Sequence, residues 1–226
     1  MAKQIRAEIT REAILRASAK LFDRHGYRGA SLNDVLKLAG VTKGALYFHF
    51  SSKEELARAV ISYQHLWAVG VANEELEEGQ TGLEAVIRLS QSLALQLMHD
   101  PMVRAGIRLT LEHGTFGEST SEPYEGWIAV TERLLVHASE SGELDGAVRP
   151  AVVARFVVGA FTGVQILSQV MTGRNDLWER IREMWEMLLP TLVPERKLPH
   201  YRQFVRMGAT GEVKTPTPRR PEQLEP

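Results

Sequence analysis

Apolar residues recur along this chain at helical intervals. Ile14, Leu15, Ser18, Ala19, Leu21 and Phe22 share one face of a helix predicted over about 7–25, ended by Gly26. Ser31 precedes Leu32-Asn33-Asp34, an N-cap with an acid three residues on, and predicts a short helix closed by Gly40. Thr42 caps a second short helix to about His49. Ser51 or Ser52 caps a long one running from Lys53 towards Glu77, with Glu54 and Glu55 complementing its positive end. Leu83 to His99 is amphipathic, and Asp100-Pro101 opens a helix to about Glu112, with Pro at a first-turn position. After a Gly/Ser/Thr-rich loop, helices are expected over about 124–141, from Pro150 to about Thr172, and over about 175–189, the last ending at Pro190. No run shows strand alternation bounded by turns. The expectation is an all-α chain of about nine helices.

The pattern divides the chain into a head of short helices at 1–52, a body at 53–195 and a tail at 196–226. The tail is expected to be disordered from about 208, where four prolines and no apolar cluster remain. The most apolar stretch, Val152 to Val170, is interrupted by Arg155, Thr162, Gln165 and Gln169, and reads as a buried helix rather than a membrane span. The charged N-terminus has no apolar stretch of the kind a secretory signal needs. A cytoplasmic, nucleoid-associated protein with no membrane partner is expected.

Charge changes the picture. The net charge is only −1, yet residues 1–53 hold ten Lys/Arg against four Asp/Glu, a net of +6, and the remainder carries −7. Either the head is a solvated basic surface or it meets a polyanion. Cysteine is absent, which removes thiolate chemistry and cysteine metal sites. The seven histidines form no metal-ligand pattern, and no nucleophile elbow, Walker or dinucleotide-binding glycine signature occurs. Nothing calls for an enzyme, a cofactor or a metal.

The head carries the sharpest signal. Leu32–Ala39, a Gly-Val-Thr turn and Lys43–His49 have helix-turn-helix spacing. Lys43, Gly44, Tyr47 and His49 fall on the outer side of the second helix, where such motifs meet base edges. Gly44 costs helix stability, about 1 kcal/mol relative to alanine, and would let the backbone approach DNA closely. Tyr47 and Phe48 are adjacent and cannot both face the core, and Tyr47 is expected to be the one pointing outward. Lys53, at the start of the next helix, is placed for a phosphate.

The segment GYRGASLNDVLKLAGVTKGALYFHFSSKEELARAV resembles the N-terminal domain of TetR-type repressors. The resemblance implies an all-α homodimer that binds a double-stranded DNA operator, with contacts from Ser31, Thr42, Lys43, Gly44, Tyr47 and Lys53. MAKQIRAEITREAIL, VTKGALYFHF, DPMVRAGIRL, Trp127 and FTGVQILSQV are similar to the γ-butyrolactone receptors of Streptomyces and to pseudo-receptors that answer other small molecules. This implies release by a lactone-like effector and control of antibiotic genes. A DNA-binding regulator without an effector remains the alternative.

On the residues alone, Trp127 is either a core tryptophan or a flat cavity wall with one N–H donor. The resemblance implies the cavity. Gln64, Thr162 and Gln165 are polar positions within apolar helices, so they serve either a ligand or helix–helix hydrogen bonds. Trp67, three residues beyond Gln64, is expected on the same wall. Phe156, Val157, Leu167, Val170, Trp178, Ile181 and Trp185 are expected at a dimer interface, with intrachain packing as the alternative for some of them.

Overall fold

The computed structural model describes residues 2–64, 81–112 and 121–208. All regular structure there is helical: α1 (Ala2–Gly29), α2 (Leu32–Ala39), α3 (Lys43–His49), α4 (53–64), α5 (Gly82–His99), α6 (Pro101–Leu111), α7 (Ser121–Glu140), α8 (Pro150–Thr172), α9 (Leu177–Leu192) and α10 (Leu198–Met207). The chain is all-α, as its periodicity predicts. It forms two compact units: residues 1–66 with 100–123, and residues 67–99 with 124–226.

Local chemistry explains most helix ends. Ser31 Oγ accepts from the Asp34 N–H at 3.1 Å, Thr42 Oγ1 from the Ala45 N–H at 3.2 Å, and Ser52 Oγ from the Glu55 N–H at 3.0 Å. Asp100 Oδ1 caps α6 by accepting from the Met102 N–H at 2.8 Å. Gly40 (φ 66°) and Gly173 (φ 63°) close α2 and α8 in the left-handed conformation that glycine adopts without strain.

In the first unit, Ile14, Phe22, Val35, Leu46, Phe50, Leu56, Val60 and Leu109 form one core. A polar lattice fastens the end of α1 to α6. Arg104 Nε donates to Asp23 Oδ2 at 2.9 Å, and Arg108 to the Asp23 carbonyl at 2.7 Å. Glu112 accepts from the Tyr27 N–H and from Arg108 Nε, each at 2.9 Å. Gly26 (φ 69°, ψ 179°) is non-helical and breaks α1 where the sequence sets its end, with a short further turn to Gly29. A Cβ there would stand 2.5 Å from Glu112 Oε1, so glycine admits the lattice.

In the second unit, Trp185 is fully buried and donates its indole N–H to Ser90 Oγ at 2.7 Å. Gly82 lets α5 press onto α7, since a Cβ would lie 2.3 Å from the Leu134 carbonyl oxygen. Buried Glu143 accepts from the N–H groups of Gly82 and Leu83 at 3.2 and 3.1 Å, and from the Tyr201 hydroxyl at 2.8 Å.

Several expectations need correction. Pro190 does not end α9, which runs to Leu192 because Leu189 and Leu192 are buried there. Residues 198–207, expected as the start of the tail, form α10. It buries Tyr201 and Val205, and its Val205 carbonyl accepts from Gln91 Nε2 at 3.2 Å. The expected disordered stretch lies almost wholly outside the described residues. α8 is not a buried helix: five of its 23 residues are buried, while Phe156, Leu167 and Val170 are 59%, 55% and 77% exposed. By length and hydropathy alone, α8 could cross a membrane. Val157, Ile181 and Trp185, expected at a dimer interface, belong instead to the core of their own subunit.

Candidate functional site

The first candidate site is the outer face of α3. Leu46 and Phe50, one helical turn apart, both point into the core and anchor the helix. The opposite face is therefore presented to solvent. Thr42, Lys43, Gly44 and Tyr47 are exposed there, and His49 is half-buried. Lys43 Nζ stands 5.9 Å from the centre of the Tyr47 ring. Nothing would meet a Cβ on Gly44 within 4 Å, so no packing inside this chain requires glycine at that position.

Phe48 points outward as Tyr47 does, although only Tyr47 was expected there. It is 78% exposed against 48% for Tyr47, because Leu46 and Phe50 already fill the inward positions. Its ring packs edge-on against His49, with centroids 5.0 Å apart. Phe48 is thus part of the presented surface, and sequence reasoning missed it.

Two predicted contacts flank this helix. Ser31 is half-buried and donates to Asp34 Oδ2 at 2.6 Å while capping α2. Lys53, in the first turn of α4, holds its ammonium 4.5 Å above the Tyr27 ring. Burial draws its pKa below the ordinary lysine value, and the Glu112 carboxylate partly opposes that shift.

The second candidate site lies in the second unit around Trp127 on α7. Its indole is half-buried, and its N–H is buried without a hydrogen-bond partner among the described residues. Trp127 is therefore not a satisfied core tryptophan like Trp185. Tyr124, one turn earlier, packs edge-on against it at 5.0 Å with planes inclined 77°. The Tyr124 phenol is pushed up in pKa mainly by burial, partly offset by a hydrogen bond to Thr162.

Thr162 also donates to the Val158 carbonyl at 2.8 Å, so α7 and α8 meet through the Tyr124–Thr162 pair. Gln165, one turn further along α8, is 2% exposed. The structure thus joins Trp127 and Thr162 through Tyr124, which the sequence reading did not single out although it stands three residues before Trp127. Gln64 belongs to the first unit. It is fully buried, both amide atoms lack partners among the described residues, and its Cβ would lie 2.8 Å from a Cβ placed on Gly106. Trp67 lies outside the described residues.

A capped helix-turn-helix on a basic first unit, in a chain whose second helical unit holds an unsatisfied aromatic site, is the architecture of a DNA-binding transcriptional regulator. Residues 14–60 match the bacterial regulatory proteins of the tetR family, and residues 80–194 match the tetracyclin repressor-like C-terminal domain. The chain belongs to the TetR family.

Among its relatives is the A-factor receptor protein of Streptomyces griseus, 36% identical over 95% of this chain and 75% of the relative. A solved γ-butyrolactone receptor described as ArpA-like superposes with a TM-score of 0.75 at 30% identity, covering 90% of this chain and 97% of that one. CprB of Streptomyces coelicolor, solved in complex with its biological operator sequence, gives 0.75 at 32% identity over 89% of this chain and 97% of CprB. The chain is a TetR-type repressor related to γ-butyrolactone receptors.

Proposed function

We propose that this protein is a homodimeric repressor that binds a pseudopalindromic operator and is released by a small diffusible lactone or furan. It would act in the cytoplasm, at the nucleoid, on genes of antibiotic or other secondary metabolism. The observation that carries the effector half of this reading is the buried, unpartnered Trp127 N–H. A buried donor left unmade costs about 1–3 kcal/mol, and a ligand carbonyl would recover that cost.

The DNA half rests on the exposed face of α3. Lys43, Gly44, Tyr47 and Phe48 would enter the major groove, with His49 at the edge of that face. Ser31, Thr42 and the start of α4 at Lys53 would hold phosphates. Two such heads on one operator stand about 34–36 Å apart, or a multiple of that spacing. The exposed side of α8 supports the dimer. Val152, Phe156, Leu167 and Val170 follow at helical intervals, and a Cβ on Gly159 or Gly163 would meet nothing within 4 Å, which leaves room for a second helix.

Release needs a path to the DNA. α5 ends at His99 and α6 begins at Pro101, so the two are continuous in the chain. The Asp23–Arg104 and Tyr27–Glu112 contacts tie α6 to the end of α1, so a ligand that displaces α6 would carry the reading head with it.

The test is Trp127→Phe, which keeps an aromatic ring and removes the donor. Operator binding should persist while the lactone concentration needed for release rises about tenfold or more. Unchanged sensitivity to the lactone would refute the role of Trp127. Release by an antibiotic but by no lactone would favour the pseudo-receptor reading.

A further inference from the structure

Phe48 is the apolar member of the outer face of α3. It leaves 78% of its surface to solvent, although Leu46 and Phe50 on either side of it are buried. The ring contact it makes among the described residues is the edge of His49. Most of the burial open to this ring must therefore come from a partner outside the chain.

Two observations name that partner. The face lies on the basic end of the molecule, where residues 1–53 carry a net charge of +6, so it attracts a polyanion. It also lies on the second helix of a helix-turn-helix, the element that enters the major groove of DNA.

The chemistry of the groove narrows the contact. Phe48 has no polar side-chain atom, so it cannot hydrogen-bond to a phosphate or a base edge. Among the groups that base pairs present in the major groove, the C5 methyl of thymine is the apolar one. Tyr47 differs, because it carries a hydroxyl and its ring stands 5.9 Å from the Lys43 ammonium. Gly44 lies one helical turn before Phe48 on the same line of α3. A helical side chain leans over the turn that precedes it, and here that turn carries no side chain at Gly44. A Cβ on Gly44 would meet nothing within 4 Å, so a base edge can come up to the ring from that side.

We propose that Phe48 is a specificity-determining residue, whose ring packs against the C5 methyl group of one thymine in each operator half-site. This rests on the operator-binding reading above and adds a base to it.

The probe is a fragment of the protein's own promoter region, trimmed by footprinting and synthesised with deoxyuridine in place of thymine at one position at a time. That exchange removes a methyl group and leaves base pairing and the hydrogen-bonding edges as they were. Affinity is read by fluorescence anisotropy on the full chain. For the parent, one such exchange in a half-site should weaken binding about fourfold, the worth of one buried methyl-sized group. Phe48→Ala should bind the thymine fragment more weakly and be indifferent to that exchange. Its dependence on salt should match the parent's, because no phosphate contact is lost. Phe48→Leu, which keeps an apolar end, should retain part of the preference. Neither variant should lower Tm, since the ring is exposed in the free chain.

A parent indifferent to the exchange at every thymine overturns the proposal and leaves operator binding intact. So does a Phe48→Ala protein that keeps the parent's preference, or one whose salt slope falls by about one, which marks a lost phosphate contact. A parent that binds no fragment of the region overturns the operator-binding reading and this proposal with it.

Discussion

Replacing Gly44 with alanine should separate folding from DNA recognition. Gly44 lies in the first turn of α3, is exposed, and has no heavy atom within 4 Å of where a Cβ would sit. In the free protein the added methyl meets nothing, and the helix gains the intrinsic advantage of alanine, about 1 kcal/mol. For a chain of this size that corresponds to a rise in Tm of about 2–4 °C.

On the operator the methyl stands between backbone and groove. Losing one close contact there costs about 1–3 kcal/mol, or roughly 5- to 150-fold in Kd. Differential scanning calorimetry and fluorescence anisotropy on a labelled operator, at one fixed salt concentration, read the two effects separately. A higher Tm with an unchanged Kd would refute the argument that Gly44 serves DNA approach. A lower Tm would refute the claim that its surroundings are open.

Three further outcomes follow from other parts of the molecule. Gly82→Ala should destabilise the protein by about 1–3 kcal/mol, visible as a lower Tm, because its methyl would meet the backbone of α7 rather than a side chain able to turn aside. Asp176 accepts from Ser168 and Thr172 at 2.6 and 2.7 Å, and these bonds hold its carboxyl at about 2, below the ordinary 3.8. Its contribution is therefore present above pH 3.8 and lost as pH falls through about 2. Asp176→Asn should lower Tm most at pH 5–7, and the deficit should shrink towards pH 2 in a thermal-melt series. Lys43→Ala should weaken operator binding and reduce the slope of log affinity against log salt by about one, measured by anisotropy across a salt titration.

Legibility in the sequence followed the range of the interactions. Caps are local, so Ser31, Thr42, Asp100, Gly40 and Gly173 marked helix ends correctly. α10 was not legible, because ten residues with a proline near the start depend on distant partners: Gln91, Glu143 and Arg88, whose guanidinium donates to the Gly208 carbonyl at 3.0 Å. Pro190 misled for a related reason. Buried Leu189 and Leu192 continue the helix past it, and the Leu192 carbonyl accepts from the Asp145 N–H at 2.8 Å.

At the reading head, Leu46 and Phe50 take the inward positions at one-turn spacing, and the outward Phe48 follows from that spacing. At the second site, the sequence shows amides and a tryptophan on apolar helices. Which of them lack partners depends on packing between helices, and that separates Trp127 from Trp185.

The central claim is that one protein both holds an operator and lets it go on binding a lactone. The most direct measurement is anisotropy of the purified full-length chain on a labelled fragment of its own promoter region, titrated with γ-butyrolactones of graded chain length. Binding should be tight, salt-sensitive and dimeric, and released in a saturable way by at least one lactone, with Trp127→Phe bound to the same DNA but resistant to release. An operator complex that forms and then ignores every lactone in the series would contradict it.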